Sequence, residues 1–109
     1  MTNIHQYWVY VMANTTRRVI YIGITNDLYR RYTEHRNGII KGFTYKYKCH
    51  DLIYFEEFKL IERAIAREKE LKGWNREKKD LLIKSQNPFL RNLAIELKWM
   101  DTDSSLCSE

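Results

Sequence analysis

With 109 residues, 44% of them hydrophobic and 30% charged, the chain has the size and balance of one ordinary globular domain, too short for two cores. Its formal charge is +5, and because residues 101–109, DTDSSLCSE, hold three acids and no base, residues 1–100 carry +8. That excess favours a polyanionic partner, nucleic acid ahead of an acidic membrane. The sequence has neither an apolar run near 18 residues nor a basic-then-apolar leader. The expectation is therefore no membrane partner and a cytoplasmic protein, associated with the nucleoid when bound to DNA.

In chain order, residues 7–13 (YWVYVMA) and 18–24 (RVIYIGI) are rich in β-branched and aromatic residues and predict a β-hairpin across a short polar stretch. If the loop has two or four residues, with 13 paired to 18, Tyr10 lies directly opposite Tyr21 and two phenols share one face. A helix follows over 27–37, capped by Asn26 or Thr25 and stopped by Gly38. On its wheel Leu28, Arg31, Tyr32, His35 and Ile39 share a face, while Arg30 and Glu34 point away. Residues 41–48 (KGFTYKYK) alternate basic and aromatic, and 51–58 (DLIYFEEF) predict a third strand. A second helix is expected over 60–73, and a third from about residue 75 to the Asn87-Pro88 pair. Residues 101–109 have the composition of a disordered acidic tail.

Cys49 and Cys107 lack C-x-x-C spacing, which argues against zinc and against a disulfide framework. Cys49-His50 is read as two ordinary residues at a strand start.

The informative residues are polar ones on apolar faces. In the second helix the apolar stripe is Ile61, Ala64, Ile65 and Leu71, and Glu68 falls within about 20° of Ile61 near its middle. Glu62, Arg67 and Glu70 lie on flanks that can stay solvated. A buried carboxylate is costly unless a cation or several donors meet it. An internal bridge to Arg31 would serve, but two phenols, an arginine, a histidine and a carboxylate facing inward are a large polar set for packing alone. Together they suit phosphodiester cleavage. Glu68 can hold a hard divalent cation, Arg31 can fork onto phosphate oxygens, a phenol can take a proton from water, and His35 can bind phosphate or assist the leaving oxygen.

These residues also resemble the GIY-YIG nuclease superfamily, which includes the incision domain of bacterial excision repair and certain homing endonucleases. The second motif stands as YIG (Tyr21, Ile22, Gly23) and the first as WVY (Trp8, Val9, Tyr10). GITNDLYRRYTEH, AREKELKGWNREKKDLLI and a closing NP follow, so the resemblance covers about 7–93 and is closest to small single-domain members. It implies an α+β fold with a small central three-stranded antiparallel sheet flanked by helices, forming one nuclease domain over residues 1–100. It also implies a divalent metal ion, Mg²⁺ or Mn²⁺, held chiefly by Glu68. By position, Tyr10 and Tyr21 are the motif tyrosines, Arg31 the arginine, Gly23 and Asn26 structural motif residues, and His35 stands where members carry histidine or tyrosine. Trp8 departs from the first motif's glycine, and Ile24 stands where some members have a serine or lysine.

The resulting expectation is an endonuclease acting on DNA. Tyr10 is chosen as general base and Tyr21 as the positioner of water, with the roles exchangeable. Arg30, Lys41, Lys46 and Lys48 are expected to touch nucleic acid, although the KGFTYKYK pattern also suits a half-exposed edge segment. Without a base-reading element, specificity is weak or borrowed from a targeting protein partner. The rival readings are a non-catalytic nucleic-acid-binding module of the same fold and a structural domain built around an Arg31–Glu68 bridge.

Overall fold

A computed structural model describes residues 5–100, so the expectation for 101–109 lies outside the described residues. The elements are β1 (Tyr7–Ala13), β2 (Ile20–Thr25), α1 (Leu28–Arg36), α2 (Phe43–Tyr47), β3 (Asp51–Phe58), α3 (Ile61–Gly73), α4 (Arg76–Gln86) and α5 (Leu93–Glu96). The strands form one antiparallel sheet in the order β2-β1-β3, the expected α+β architecture. Among the described residues no helix is long and apolar enough to cross a membrane.

β1 is apolar on both sides because both sides of the central strand are covered, and Val9 to Ala13 are all buried. Val9, Val11 and Ile22 pack with Ala64 and Leu71 of α3 and Ile83 of α4. Tyr10 and Met12 face the other way, toward Leu28 and Tyr32 of α1, Leu52, and Ala94 of α5. Pairing between β1 and β3 steps from Val11↔Tyr54 to Met12↔Leu52, which leaves Ile53 as a bulged residue. Ile53 and Tyr54 consequently both join the α3–α4 side of the core.

The hairpin register differs from expectation. Its loop spans six residues, 14–19, so Ala13 pairs with Ile20, Tyr10 lies opposite Gly23, and Tyr21 lies opposite Met12. The longer loop is closed by Asn14, whose side-chain oxygen accepts from the Val19 amide at 3.1 Å, and by Arg17 in a left-handed conformation at φ 65°. A slip of two residues preserves the face, so both phenols still point the same way.

Three other expectations are corrected. Asp27, not Asn26 or Thr25, caps α1, accepting from the Arg30 amide at 3.0 Å; Thr25 is still strand, and its hydroxyl accepts from the Asp27 amide. Gly38, at φ +73°, turns the chain after α1 and leaves Ile39 exposed, off the inner face. Residues 43–47 are helical rather than an extended edge, closed by bonds from the Lys46 amide to the Gly42 carbonyl and from the Cys49 amide to the Thr44 carbonyl. The short α5, capped by Asn92, has no counterpart in the sequence reading.

Asn87 secures the segment after α4. Its buried amide donates to the Ile53 and Arg91 carbonyls at 3.0 and 2.8 Å, while its oxygen accepts from the Arg91 amide at 3.1 Å. Asn87→Ala would leave the carbonyl at the bulge without this donor. We expect a loss of about 1–3 kcal/mol, measured as a lower urea midpoint with an unchanged slope.

Candidate active site

β1 and β2 carry Tyr10 and Tyr21 onto one face, and α1 lays His35 across them. The three rings form a triangle with centroid separations of 6.3 Å for the tyrosines, 5.6 Å for Tyr10–His35 and 5.7 Å for Tyr21–His35. Tyr10 Oη meets His35 Nε2 at 2.9 Å, and His35 Nδ1 meets Thr44 Oγ1 of α2 at 2.9 Å. A neutral imidazole donates through one nitrogen and accepts through the other, so the three side chains make one continuous chain. Phe43 closes the cluster, 6.0 Å from the Tyr21 ring.

Gly23 is required by this packing. A Cβ there would stand 2.5 Å from Tyr10 Oη and 2.9 Å from Tyr21 Cε2, so the phenol of Tyr10 occupies the space of the missing side chain.

Burial sets the protonation states. Desolvation, then the neighbouring Tyr21, pushes Tyr10 up to about 12, against the opposing pull of Arg31. Desolvation, then the charge of Arg31, brings His35 down to about 4, with Glu34 opposing. At neutral pH the cluster therefore holds an un-ionised phenol and an uncharged imidazole. Both ring nitrogens of His35 are engaged and the residue is buried, so in this arrangement it is not free to grip a phosphate.

Arg31 lies on the α1 face toward the cluster, partly exposed, and its Nε donates to Glu34 at 3.2 Å. The Arg31–Glu68 bridge considered from sequence is not formed. Glu68 pairs with Lys72 at 2.7 Å, and no hydrogen bond or ion pair links it to Tyr10, Tyr21, Arg31 or His35. It does sit on the inward side of α3, between buried Ala64 and Leu71, with 16% of its side chain exposed. Ile61 and Ile65 are exposed, so the stripe expected around Glu68 is covered only in part.

Arg67, expected on a solvated flank, is instead an anchor. Its Nε and Nη2 donate to the two oxygens of Glu56 at 2.9 Å each, and the Tyr54 hydroxyl donates to the same carboxylate. Burial pushes the Glu56 pKa up, but the bonds from Arg67 and Tyr54 prevail and hold it below the usual glutamate value. This fork fastens α3 to β3 one residue before Glu68. Asn26, Arg30, Lys41, Lys46 and Lys48 are all exposed, and the ammonium of Lys41 lies over the Tyr45 ring at 4.0 Å.

Sequence reasoning missed Thr44 and Phe43. The available signal was Thr44 itself, the one residue in KGFTYKYK that is neither basic, aromatic nor glycine. Its pairing with His35 depends on the helical turn that the alternation concealed.

A family model for the GIY-YIG catalytic domain matches residues 6–80, a span holding the whole cluster and Glu68. The chain belongs to the GIY-YIG family. It is 34% identical over 79 residues to a UPF0213 protein of Bacillus pumilus, spanning 72% of this chain and 80% of that one. Identity is also 34%, over 76 residues, to a UPF0213 protein of Haloquadratum walsbyi, covering 70% and 84% of the two chains. The solution NMR structure of a UPF0213 protein from Bacillus halodurans superposes with a TM-score of 0.53 at 26% identity, over 83% of this chain and 95% of that one. A GIY-YIG catalytic domain implies a nuclease-type function.

The lowered His35 pKa makes a signed prediction for this GIY-YIG fold. Between pH 6.5 and about 4 the unfolded chain binds a proton at this residue that the folded chain refuses. Stability should therefore fall as pH drops through that window, by up to about 3 kcal/mol from His35. His50, also lowered, adds to the same slope, whereas Glu56 acts only below its ordinary value of 4.5. His35→Gln should flatten the plot of unfolding free energy against pH relative to the parent. Coincident slopes would show that His35 is not held neutral.

Proposed function

We propose that this chain is a divalent-metal-dependent endonuclease hydrolysing phosphodiester bonds in DNA. The observation carrying the proposal is the buried Thr44–His35–Tyr10 chain, set beneath a half-buried Tyr21 and beside a part-exposed Arg31. Purely structural packing has little reason to collect these groups over a glycine.

In the hydrolysis, water oxygen bonds to phosphorus, the bond from phosphorus to the leaving sugar oxygen breaks, and one proton passes from the water side to the leaving side. Arg31 pairs with the non-bridging oxygens through its fork. Tyr21, the less buried phenol, orients the water and, reacting as its phenolate, takes the proton, which solvent water returns to the leaving oxygen. Tyr10 is assigned to positioning: with its pKa pushed up to about 12, its phenolate is scarce at neutral pH. His35 holds Tyr10 in place, and Thr44 fixes the imidazole plane.

Glu68 would hold the metal ion. A single part-exposed carboxylate would leave most of the coordination sphere to water, which a hard ion such as Mg²⁺ or Mn²⁺ accepts. It does not suit tetrahedral zinc. When bound, the ion would activate water and shield phosphate charge. Lys72, half-exposed on its flexible stem, can release Glu68 to water. Arg30, Lys41, Lys46 and Lys48 supply sequence-independent backbone contacts, and a partner protein supplies targeting.

The Glu68–Lys72 pair, unconnected to the phenols, favours one alternative, a binding module of the same fold that does not cleave. Cleavage assays on several DNA forms with Mg²⁺ or Mn²⁺ separate the two. Glu68→Gln should abolish cleavage, Tyr21→Phe should lower the rate by roughly 10²–10⁴-fold, and Arg31→Lys should lose much of the rate while still binding DNA. A Glu68→Gln protein that cuts like the parent across a metal titration would remove Glu68 from the mechanism. DNA binding by a parent that never cleaves would establish the alternative.

A further inference from the structure

Two open clefts meet at Arg36, away from the tyrosine cluster. One, of about 460 Å³, is lined by Arg36, Tyr45, Lys46, Lys48 and His50. The other, of about 540 Å³, runs past Arg17, Arg36, Asp51, Arg91 and Asn92. Arg36 follows His35 by one residue, so about 100° of helix rotation turns it off the catalytic face of α1. α2 is the shared wall: Phe43 and Thr44 face the cluster, while Tyr45 and Lys46 line the cleft behind it.

Arg36 is pre-oriented there. Its Nη1 donates to Asp51 Oδ1 at 3.0 Å, and Asp51 Oδ2 accepts from Arg17 Nη1 at 2.6 Å. Arg17 is pinned in turn by the Leu90 and Asn14 carbonyls at 2.9 Å each. One carboxylate faces two guanidinium groups, so positive charge remains after pairing. Arg91, Lys46 and Lys48 add to it, and Glu96, at the margin of the second cleft, offsets only one charge. A fixed guanidinium fork between lysines suits phosphate oxygens. Tyr45, 51% exposed among them, carries the Lys41 ammonium over its ring at 4.0 Å, and when that flexible side chain swings onto a phosphate the ring offers a stacking surface that paired bases in a duplex cannot reach.

We propose that the groove pivoting on Arg36 binds a single-stranded stretch of nucleic acid flanking the cleaved position, with Arg36, Lys46 and Lys48 on its phosphates and Tyr45 under a base. The inference rests on the nuclease reading above, extends it to residues with no part in the chemistry, and makes strand path a property of the back of α1 and α2.

The test is fluorescence anisotropy with the full chain and a labelled single-stranded DNA oligonucleotide, with the matching duplex measured in parallel across a salt series. Lys46→Gln/Lys48→Gln changes two exposed side chains and should reduce the log–log salt slope for the single strand by about 1.4. Tyr45→Ala should weaken single-strand binding by about 5-fold or more with a smaller effect on duplex. Arg36→Gln should weaken binding where Arg36→Lys recovers only part of it. Parent-like affinity and slope in all these variants would overturn the inference, and if Glu68→Gln still abolished cleavage the nuclease reading would stand. A parent that binds no nucleic acid would overturn both.

Discussion

Much of the structure is arranged around one hydrogen bond, between the hydroxyl of Tyr10 and Nε2 of His35. It joins the central strand to α1, and through the other ring nitrogen and Thr44 it joins both to α2. An unpaired polar group at this depth would be costly, so the three partners have to arrive together. That requirement explains several local choices. Gly23 leaves room for the phenol, Gly42 starts the short turn that brings in Thr44, and burial keeps the imidazole uncharged.

Charge is handled differently away from this chain. Two carboxylates are each held by cations across elements: Glu56 by Arg67, with a donated bond from Tyr54, and Asp51 by Arg17 and Arg36. The first fastens α3 to the sheet next to Glu68, and the second ties the hairpin loop and the end of α1 to the start of β3. Glu34, Glu68, Glu70 and Asp80 pair within their own helices, and Arg30, Lys41, Lys46 and Lys48 leave an exposed basic surface on α1, α2 and the connection between them. A small fold thus keeps a neutral polar interior beneath a cationic exterior, the division expected of a protein that meets phosphate at its surface.

The strands were legible because β-branched and aromatic runs mark them, and the shared face of Tyr10 and Tyr21 survived a wrong register because side-chain alternation has a period of two. The register itself was not legible: it depends on Asn14 closing a six-residue loop, a tertiary choice that four polar letters do not announce. Arg31 and His35 were placed correctly on the inner side of α1, yet Arg31's partner is Glu34 of its own helix, three residues on, rather than the more distant carboxylate. Sequence could suggest that Glu68 turns inward, since a wheel gives direction. The same wheel puts Lys72 one turn further on, in reach of Glu68, but it could not show that Arg67 crosses to Glu56. The motifs named the family, but Thr44 was hidden because a helical turn of basic and aromatic residues looks like an alternating strand when read two residues at a time.

If one imidazole couples the sheet to both helices, Tyr10 and Thr44 must be energetically coupled although they do not touch. A double-mutant cycle with Tyr10→Phe and Thr44→Val, read by urea unfolding, measures that directly. Losing either bond frees the ring and reduces what the other is worth, so the double variant should be less destabilised than the sum of the singles by about 0.5–3 kcal/mol. Additivity to within about 0.3 kcal/mol would contradict the account, because the two contacts would then be independent features of the core rather than one chain beneath the active site.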